Sequence, residues 1–387
     1  MKTLFLPDYS TANAYQRALT HGLAALGVEV TADPTGSRRV LPVVEALRRH
    51  GRPDVIHVHW TEPYIAGGSS RVSRLKARRT LIELRLAKRA GIGLVWTAHD
   101  LFRHDRREDP NELAFMRSLF ALCDSVIVHC SAAADALLQT LGVGTEGRAK
   151  IAVIPHGHYQ GAYPDTVSGE EARARLELPA DAKVISFVGW VRSYKGVWEL
   201  YEAFKALDEP NARLVIAGQA VDGAYAARLT AAAKGDERIH LSIGFVPDED
   251  LQLYLRAADV VAAPFLEIFT SGSVLLAMSF GRAVIAPRRG CVTDVLDEQG
   301  GILYDADDPQ GLEGALRDAM TADTEAMGRH NAADLSRFDW SRVAEATRAV
   351  YEAAIKERDP AASGGARPPL PLRSWPGAAA WQPCDSG

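Results

Sequence analysis

Cysteine is scarce, with 4 in 387 residues, and Cys123, Cys130, Cys291 and Cys384 form no C-x-x-C pair and no metal-ligand spacing. That excludes a zinc ribbon or a thioredoxin-like motif and reads as reduced thiols in a cytoplasmic protein. A basic excess is missing as well. The formal net charge is −5, which leaves nothing to neutralise a phosphate backbone and argues against a nucleic-acid partner. No window approaches the ~18 apolar residues of a membrane span, and the opening M-K-T-L-F-L-P-D turns polar too soon for a secretory leader. Neither G-x-G-x-x-G after the first strand nor G-x-x-x-x-G-K-[ST] occurs, which disfavours a dinucleotide oxidoreductase and a P-loop kinase. No D-x-D element stands out as a metal site. What remains is an enzyme-sized chain, 47% hydrophobic and 24% charged, with enough apolar residues for two ordinary cores.

The apolar pattern alternates between strands and helices. Runs 3–6, 28–31, 54–60, 93–97, 125–129 and 151–154 read as strands. Segments 14–26, 41–50, 72–90, 111–122 and 132–141 read as helices, the last capped by Ser131. Such alternation implies right-handed crossovers and a parallel sheet covered on both faces. The polar run 156–168 breaks the rhythm, and strands then resume at 184–188, 213–217, 239–242, 260–263, 283–286 and 301–303. The expected class is α/β, with two Rossmann-like doubly wound domains over 1–160 and 161–340, then a helix over 341–357. The tail 358–387 is rich in Pro, Gly, Ala and Ser and is expected to be disordered. Trp375 and Trp381 within it read either as a docking segment or as part of a floppy end.

Two segments of the second half suit an anion. Gly189–Gly196, G-W-V-R-S-Y-K-G, follows a buried strand and places Arg192 and Lys195 on the turn before a helix. In open parallel sheets, ligands collect beyond the carboxyl ends of the strands, where helix N-termini attract negative charge. A solvated loop would also explain the two cations. Thr270, Ser271, Gly272 and Ser273 then open another helix, where small residues expose backbone N–H groups. A plain N-cap explains one hydroxyl but not the whole cluster. Gly218 ends the strand L-V-I-A-G and permits close ligand approach.

The first segment resembles the R-x-x-K-G turn of GT-B glycosyltransferases, especially the GT4-like family. The resemblance implies that Arg192 and Lys195 hold the diphosphate of a nucleotide-sugar donor. Pro264–Gly281, P-F-L-E-I-F-T-S-G-S-V-L-L-A-M-S-F-G, followed by A-V-I-A-P, is similar to the GT4 signature from Leu275 onward. It departs at the acidic positions. Leu276 stands where the family has the Glu that contacts the donor ribose, and Glu267 lies nine residues before it rather than eight. T-S-G-S with this Leu looks more like a diverged branch resembling bacterial β-mannosyltransferases. By the same likeness, Phe245 or Val246 borders the base, the two domains face each other across a cleft, and the last helix crosses back to the first domain.

For chemistry, the first half offers side chains at strand ends. Asp8 follows the first strand in P-D-Y-S-T-A-N-A-Y-Q, with Asn13 and Gln16 behind it; His59, Trp60 and Glu62 follow the third; His99 and Asp100 end the fourth. An imidazole near its unperturbed pKa of ~6.5 takes a proton at neutral pH, so His99 ranks first as catalytic residue, with Glu62, Asp8 and Asp100 as rivals. Turn formation explains Asp8 equally well, solvation explains Glu62, and strand packing explains His57 and His59. Asn13, Gln16, Trp60, His156 and His158 are the candidates for acceptor binding.

The resemblance thus implies a hexosyltransferase-type enzyme that needs no metal or other cofactor. Its donor would be a GDP-sugar first and a UDP-sugar second, its acceptor a lipid-linked or small-molecule natural product, and its reaction inverting. The basic helix spanning 71–89 reads either as a solvated face or as peripheral contact with the inner face of the membrane. A GT-B epimerase and an inactive nucleotide-sugar-binding protein are the rival readings.

Overall fold

The structure is a computed structural model and describes residues 1–34, 39–67, 69–101, 109–270 and 272–356. Ser271 and the 358–387 tail lie outside these residues. The chain forms two compact units, Met1–Gly157 together with Phe338 onward, and His158–Arg337.

In the first unit six parallel strands are ordered β2-β1-β3-β4-β5-β6. They are β1 (Lys2–Leu6), β2 (Glu29–Ala32), β3 (Val55–Val58), β4 (Gly93–Thr97), β5 (Ser125–Val128) and β6 (Ile151–Val153). Strands β3, β4 and β5 are buried along their whole length, which is why they read as unbroken apolar runs rather than alternating ones. Helices Ala14–Ala25 and Trp340–Lys356 cover one face. Leu19 and Leu23 of the former, and Val343, Ala344, Val350, Tyr351 and Ala354 of the latter, join Phe5, Val55 and Val95 in one core. Each of the leucine, valine and phenylalanine side chains contributes about 1.5–3 kcal/mol by burial. A Cβ on Gly22 would lie 2.9 Å from Ala344 Cβ, so glycine lets these two helices approach closely.

Capping explains two further features. Helix Pro42–His50 has no local side-chain cap. Instead Glu83, reaching from helix Ser70–Arg89, accepts hydrogen bonds from the Val43 and Val44 amides at 2.8 and 3.0 Å. Helix Ser131–Leu141 is capped one residue earlier than expected, by Cys130 Sγ accepting from the Ala133 amide at 3.2 Å; Ser131 is its first helical residue. Cys123 is a buried thiol outside any disulfide.

The second unit repeats the plan with six parallel strands ordered β12-β11-β10-β7-β8-β9. They are β7 (Lys183–Val188), β8 (Ala212–Gly218), β9 (Ile239–Ile243), β10 (Val260–Ala262), β11 (Ala283–Pro287) and β12 (Gly301–Tyr304). The chain starts in the middle at β7, runs outward through β8 and β9, then returns to the other side at β10. The order therefore reverses between β7 and β10, the place where open α/β sheets hold ligands. The first sheet reverses between β1 and β3 in the same way.

Candidate functional site

In the second unit the loops after β7 and β10 are fastened together. The Leu266 amide donates to the Tyr194 carbonyl at 2.9 Å. Gly196 has φ +69°, and a Cβ there would fall 1.9 Å from the Pro264 carbonyl oxygen. Lys195 Nζ reaches Ser273 Oγ at 3.3 Å and lies 4.9 Å from the Phe265 ring centre. Arg192, which precedes the single 3-10 turn Ser193–Lys195, stacks its guanidinium 5.4 Å from the Trp190 ring centre. Helix Gly272–Ser279 starts at this point, so its first amides open beside the Lys195 ammonium. Thr270 lies just before that start, and Gly272 faces Tyr159 Oη, 3.0 Å from where its Cβ would be.

The strand ends next to this junction are bare of side chains by necessity. Gly218 has φ +148°, and a Cβ on it would meet the Gly189 carbonyl oxygen at 1.7 Å. Around this floor stand apolar side chains in water. Trp190 (50%), Val221 (45%), Phe245 (76%) and Leu266 (40%) are the large apolar residues exposed in this unit among those described. They occupy the loops after β7, β8, β9 and β10 respectively. Scattered surface apolars need no explanation, but four on consecutive strand-end loops mark a ligand face. Val246 is half-buried, and Glu267 is exposed on the β10 loop. Leu276 sits within helix Gly272–Ser279, so no carboxylate occupies the position of the family's ribose-contacting Glu.

In the first unit, histidines stand beyond the ends of four neighbouring strands: His59 after β3, His99 after β4, His129 after β5 and His156 after β6. Tyr15 lies against all four rings, at centroid distances of 6.0, 4.9, 5.4 and 4.7 Å. Trp60 stacks on His99, 4.6 Å away and 12° from parallel, and Tyr9 packs on Trp60 at 5.2 Å. His59 Nδ1 and His99 Nε2 are 3.3 Å apart, His99 Nδ1 and His129 Nε2 are 3.2 Å apart, and His129 Nδ1 lies 3.0 Å from the Ile154 carbonyl. His57, inside β3, bonds Tyr351 Oη and Thr97 Oγ1 at 2.6 and 2.7 Å and belongs to the core.

Burial, reinforced by the neighbouring imidazoles, drives the His57, His59 and His99 pKa values well below 6.5. Burial also lowers His129 to about 4, opposed by its bond to the Ile154 carbonyl, and His156 to about 3. All five rings are thus neutral at pH 7, and the unperturbed value expected for His99 does not hold in the folded chain.

The other candidates divide by exposure. Glu62 and Asp100 are exposed. Asp8 is half-buried, and its Oδ1 accepts from the Ser10 amide and hydroxyl at 2.9 and 2.6 Å, so it shapes the β1 loop. Asn13 caps helix Ala14–Ala25 through the Gln16 amide. Gln16 is fully buried: its Nε2 donates to the Pro7 carbonyl at 2.8 Å and its Oε1 accepts from the Tyr9 amide at 2.5 Å. His156 Nδ1 donates to the Gly157 carbonyl at 2.7 Å. His158 belongs to the second unit, where its Nδ1 accepts from the Gln160 amide at 3.2 Å. His129 was absent from the candidates, although V-I-V-H has the same strand-then-histidine form as V-W-T-A-H.

Residues 4–158 match the family described as Glycosyltransferase Family 4, and residues 182–322 match Glycosyl transferases group 1. The chain is a GT4-like glycosyltransferase of the GT-B fold. A relative of this glycosyltransferase is the GDP-mannose:glycolipid 4-beta-D-mannosyltransferase of Xanthomonas campestris pv. campestris. It is 28% identical over 317 residues, 80% of this chain and 83% of the relative. D-inositol 3-phosphate glycosyltransferase of Xylanimonas cellulosilytica is 28% identical over 334 residues, covering 81% and 75%. Among solved structures, sucrose-phosphate synthase from Thermosynechococcus elongatus superposes with a TM-score of 0.69 at 22% identity, covering 91% of this chain and 98% of its own. HepE from Anabaena, solved with UDP and glucose, also gives 0.69, at 18% identity and with 91% and 100% coverage. These structural likenesses concern the fold.

Proposed function

We propose that this glycosyltransferase moves mannose from GDP-mannose to a glycolipid acceptor with inversion, and that it does so without a metal. The convergence of Lys195, Ser273 and the start of helix Gly272–Ser279 at the β7/β10 reversal carries the reading. An ammonium, a hydroxyl and helix-terminal amides together match a diphosphate, and Arg192 adds a second cation from the same turn. Phe245 and Val246 would cover the base, and Gly218 leaves room beside it. Glu267 and Thr270 would complete the sugar and phosphate contacts.

GDP-mannose, the glycolipid and the β-linkage are carried over from the Xanthomonas relative. Helix Ser70–Arg89 supports a lipid-borne acceptor. Its exposed residues include Arg71, Arg74, Arg78, Arg85 and Arg89, interleaved with Val72 (43%), Leu75 (70%), Ile82 (45%) and Leu86 (52%). Its sole acidic residue, Glu83, is buried. Arginines among exposed apolar side chains suit an anionic membrane surface. No helix among the described residues is long and apolar enough to cross a membrane.

On the acceptor side, the first unit supplies His99, with Trp60 stacked on it and Glu62, Asp8 and Asp100 nearby in sequence or on neighbouring strand ends. A base there would take the acceptor hydroxyl proton as the oxygen attacks the anomeric carbon. The test is thermal stabilisation by a panel of GDP-, UDP- and dTDP-sugars, followed by product formation with a lipid-linked oligosaccharide. Stabilisation by GDP-mannose with mannosyl-lipid as product is the expected result. Stabilisation by none of the nucleotide sugars would overturn the reading, and turnover of the donor without an acceptor would favour an epimerase.

A further inference from the structure

We infer that His59 and His129 are positioning residues that hold the His99 imidazole in one tautomer, with its proton on Nδ1 and its lone pair on Nε2. The tautomer follows from hydrogen bonding alone. A carbonyl oxygen only accepts, so His129 Nδ1, 3.0 Å from the Ile154 carbonyl, must carry a proton. A neutral His129 then has its lone pair on Nε2, and His99 Nδ1, 3.2 Å away, must donate to it. His99 Nε2 is left as an acceptor, and His59 Nδ1 donates to it across 3.3 Å. The row ends at His59 Nε2, a lone pair buried without a hydrogen-bond partner.

The sheet itself fixes this order. Thr97 pairs with Ile127 and Ile127 with Ala152. Two residues further along each strand, the same register brings His99 beside His129 and His129 beside Ile154. The rings cannot turn to swap their nitrogens, because Tyr15 lies against all of them and Trp60 stacks on His99. Reversing one tautomer would set two acceptors or two N–H groups face to face at each of that ring's own contacts. A single main-chain carbonyl therefore sets the state of three side chains.

The catalytic part of this inference rests on the reading of His99 as the acceptor-side residue. With the lone pair held on Nε2, where His59 donates to it, His99 has one defined accepting nitrogen, and an acceptor hydroxyl must take the place of the His59 N–H there before its proton can pass; a free imidazole divides its population between two tautomers. His129 acts on His99 as an orienting acceptor does on a catalytic histidine, but without adding a negative charge.

The experiment uses the full chain labelled with ¹⁵N-histidine and long-range ¹H–¹⁵N spectra, which distinguish a protonated ring nitrogen from one carrying a lone pair. In the wild-type protein, His59, His99 and His129 should each show a protonated Nδ1 and a bare Nε2. A protonated Nε2 on His99 would overturn the inference before any variant is made. His129→Phe removes the acceptor, so His99 should lose its preference and kcat should fall about 10²-fold or more, with the donor KM unchanged. His129→Gln keeps an acceptor oxygen and should restore both the His99 tautomer and most of the turnover. Retention of the Nδ1–H form by His99 in His129→Phe would overturn the coupling. Loss of the tautomer with full turnover would overturn the positioning role while leaving the donor assignment standing.

Discussion

Lys195 Nζ and Ser273 Oγ lie 3.3 Å apart although 78 residues separate them in the chain. The contact joins the two turns on which an anion-binding character was read independently, and it places them at the reversal of strand order. Neither the ammonium nor the hydroxyl needs the other for folding, since both sit on loops held together by the Tyr194–Leu266 backbone bond.

Arg192→Ala and Lys195→Ala should therefore weaken nucleotide binding and leave the fold intact. Each charge-assisted contact contributes about 1.5–3 kcal/mol, or roughly 10- to 150-fold in Kd. Calorimetry with GDP reads the loss directly, and unchanged melting shows that it is local. Wild-type affinity in both variants would remove the diphosphate from this site.

Gly196→Ala and Gly218→Ala should fail for a different reason. Their Cβ atoms would lie 1.9 and 1.7 Å from main-chain carbonyl oxygens, both at positive φ, so backbone must move and no side chain can yield instead. Gly196→Ala would part the β7 and β10 loops and Gly218→Ala would part β8 from Gly189. Both should lower the melting temperature and the nucleotide affinity together, in contrast to the two cation variants. A Gly196→Ala protein with normal stability and affinity would show that the loops are not coupled.

The central strands were legible because fully buried parallel strands are continuous apolar runs, and all twelve strands, the half-buried edge strands β2, β9 and β12 included, lie within a residue or two of the runs read as strands. The R-x-x-K-G turn was legible because two cations three residues apart stand between a buried apolar run and the start of a helix. His129 was not, because its importance comes from register: only the pairing of β4 with β5 and β5 with β6 brings His99, His129 and Ile154 into line. The low pKa of His99 was hidden for the same reason, since burial among other imidazoles is a tertiary property. Asn13 and Gln16 carry amides suited to a sugar, yet one caps a helix and the other braces the β1 loop. At Ser131, intrinsic capping preference pointed one residue past the atom that does the capping.

Glu83 offers a stability test away from the candidate site. Its carboxylate is the N-terminal cap of helix Pro42–His50, although it belongs to another helix 40 residues along. Removing it in Glu83→Ala leaves two buried amides unpaired and should cost about 1–2 kcal/mol. Glu83→Gln keeps one accepting oxygen and should cost less. Denaturant titration of both variants checks the order, and equal losses would mean that packing rather than capping is at stake.

The buried histidines predict how stability depends on pH. In the unfolded chain each takes a proton near ~6.5, whereas in the folded chain His129 does so at about 4 and His156 at about 3. His57, His59 and His99 are also held well below the ordinary value. Between these limits the unfolded state binds more protons, so stability rises with pH. It is fully present above ~6.5 and lost progressively as pH falls through that value toward the folded pKa values. Melting temperature should drop steeply from about pH 6.5 to about pH 4, and His129→Phe should make the dependence shallower. A flat profile across this range would show that the histidines titrate freely.

The last prediction concerns the anomeric centre. Retaining enzymes of this family keep both acidic residues of the signature, and this chain has Leu276 in one of those places. An inverting reaction asks instead for a base on the acceptor side, where the first unit presents His99 beneath Trp60. The α-linked donor should therefore give a β-linked product. On this reading His99→Ala should abolish transfer and leave GDP affinity unchanged, because the base acts on the acceptor hydroxyl and not on the nucleotide. Anomeric couplings in the product's NMR spectrum decide the linkage, and an α-linkage would rule out inversion. Full turnover by His99→Ala with a β-linked product would keep inversion and move the base to Glu62 or Asp8.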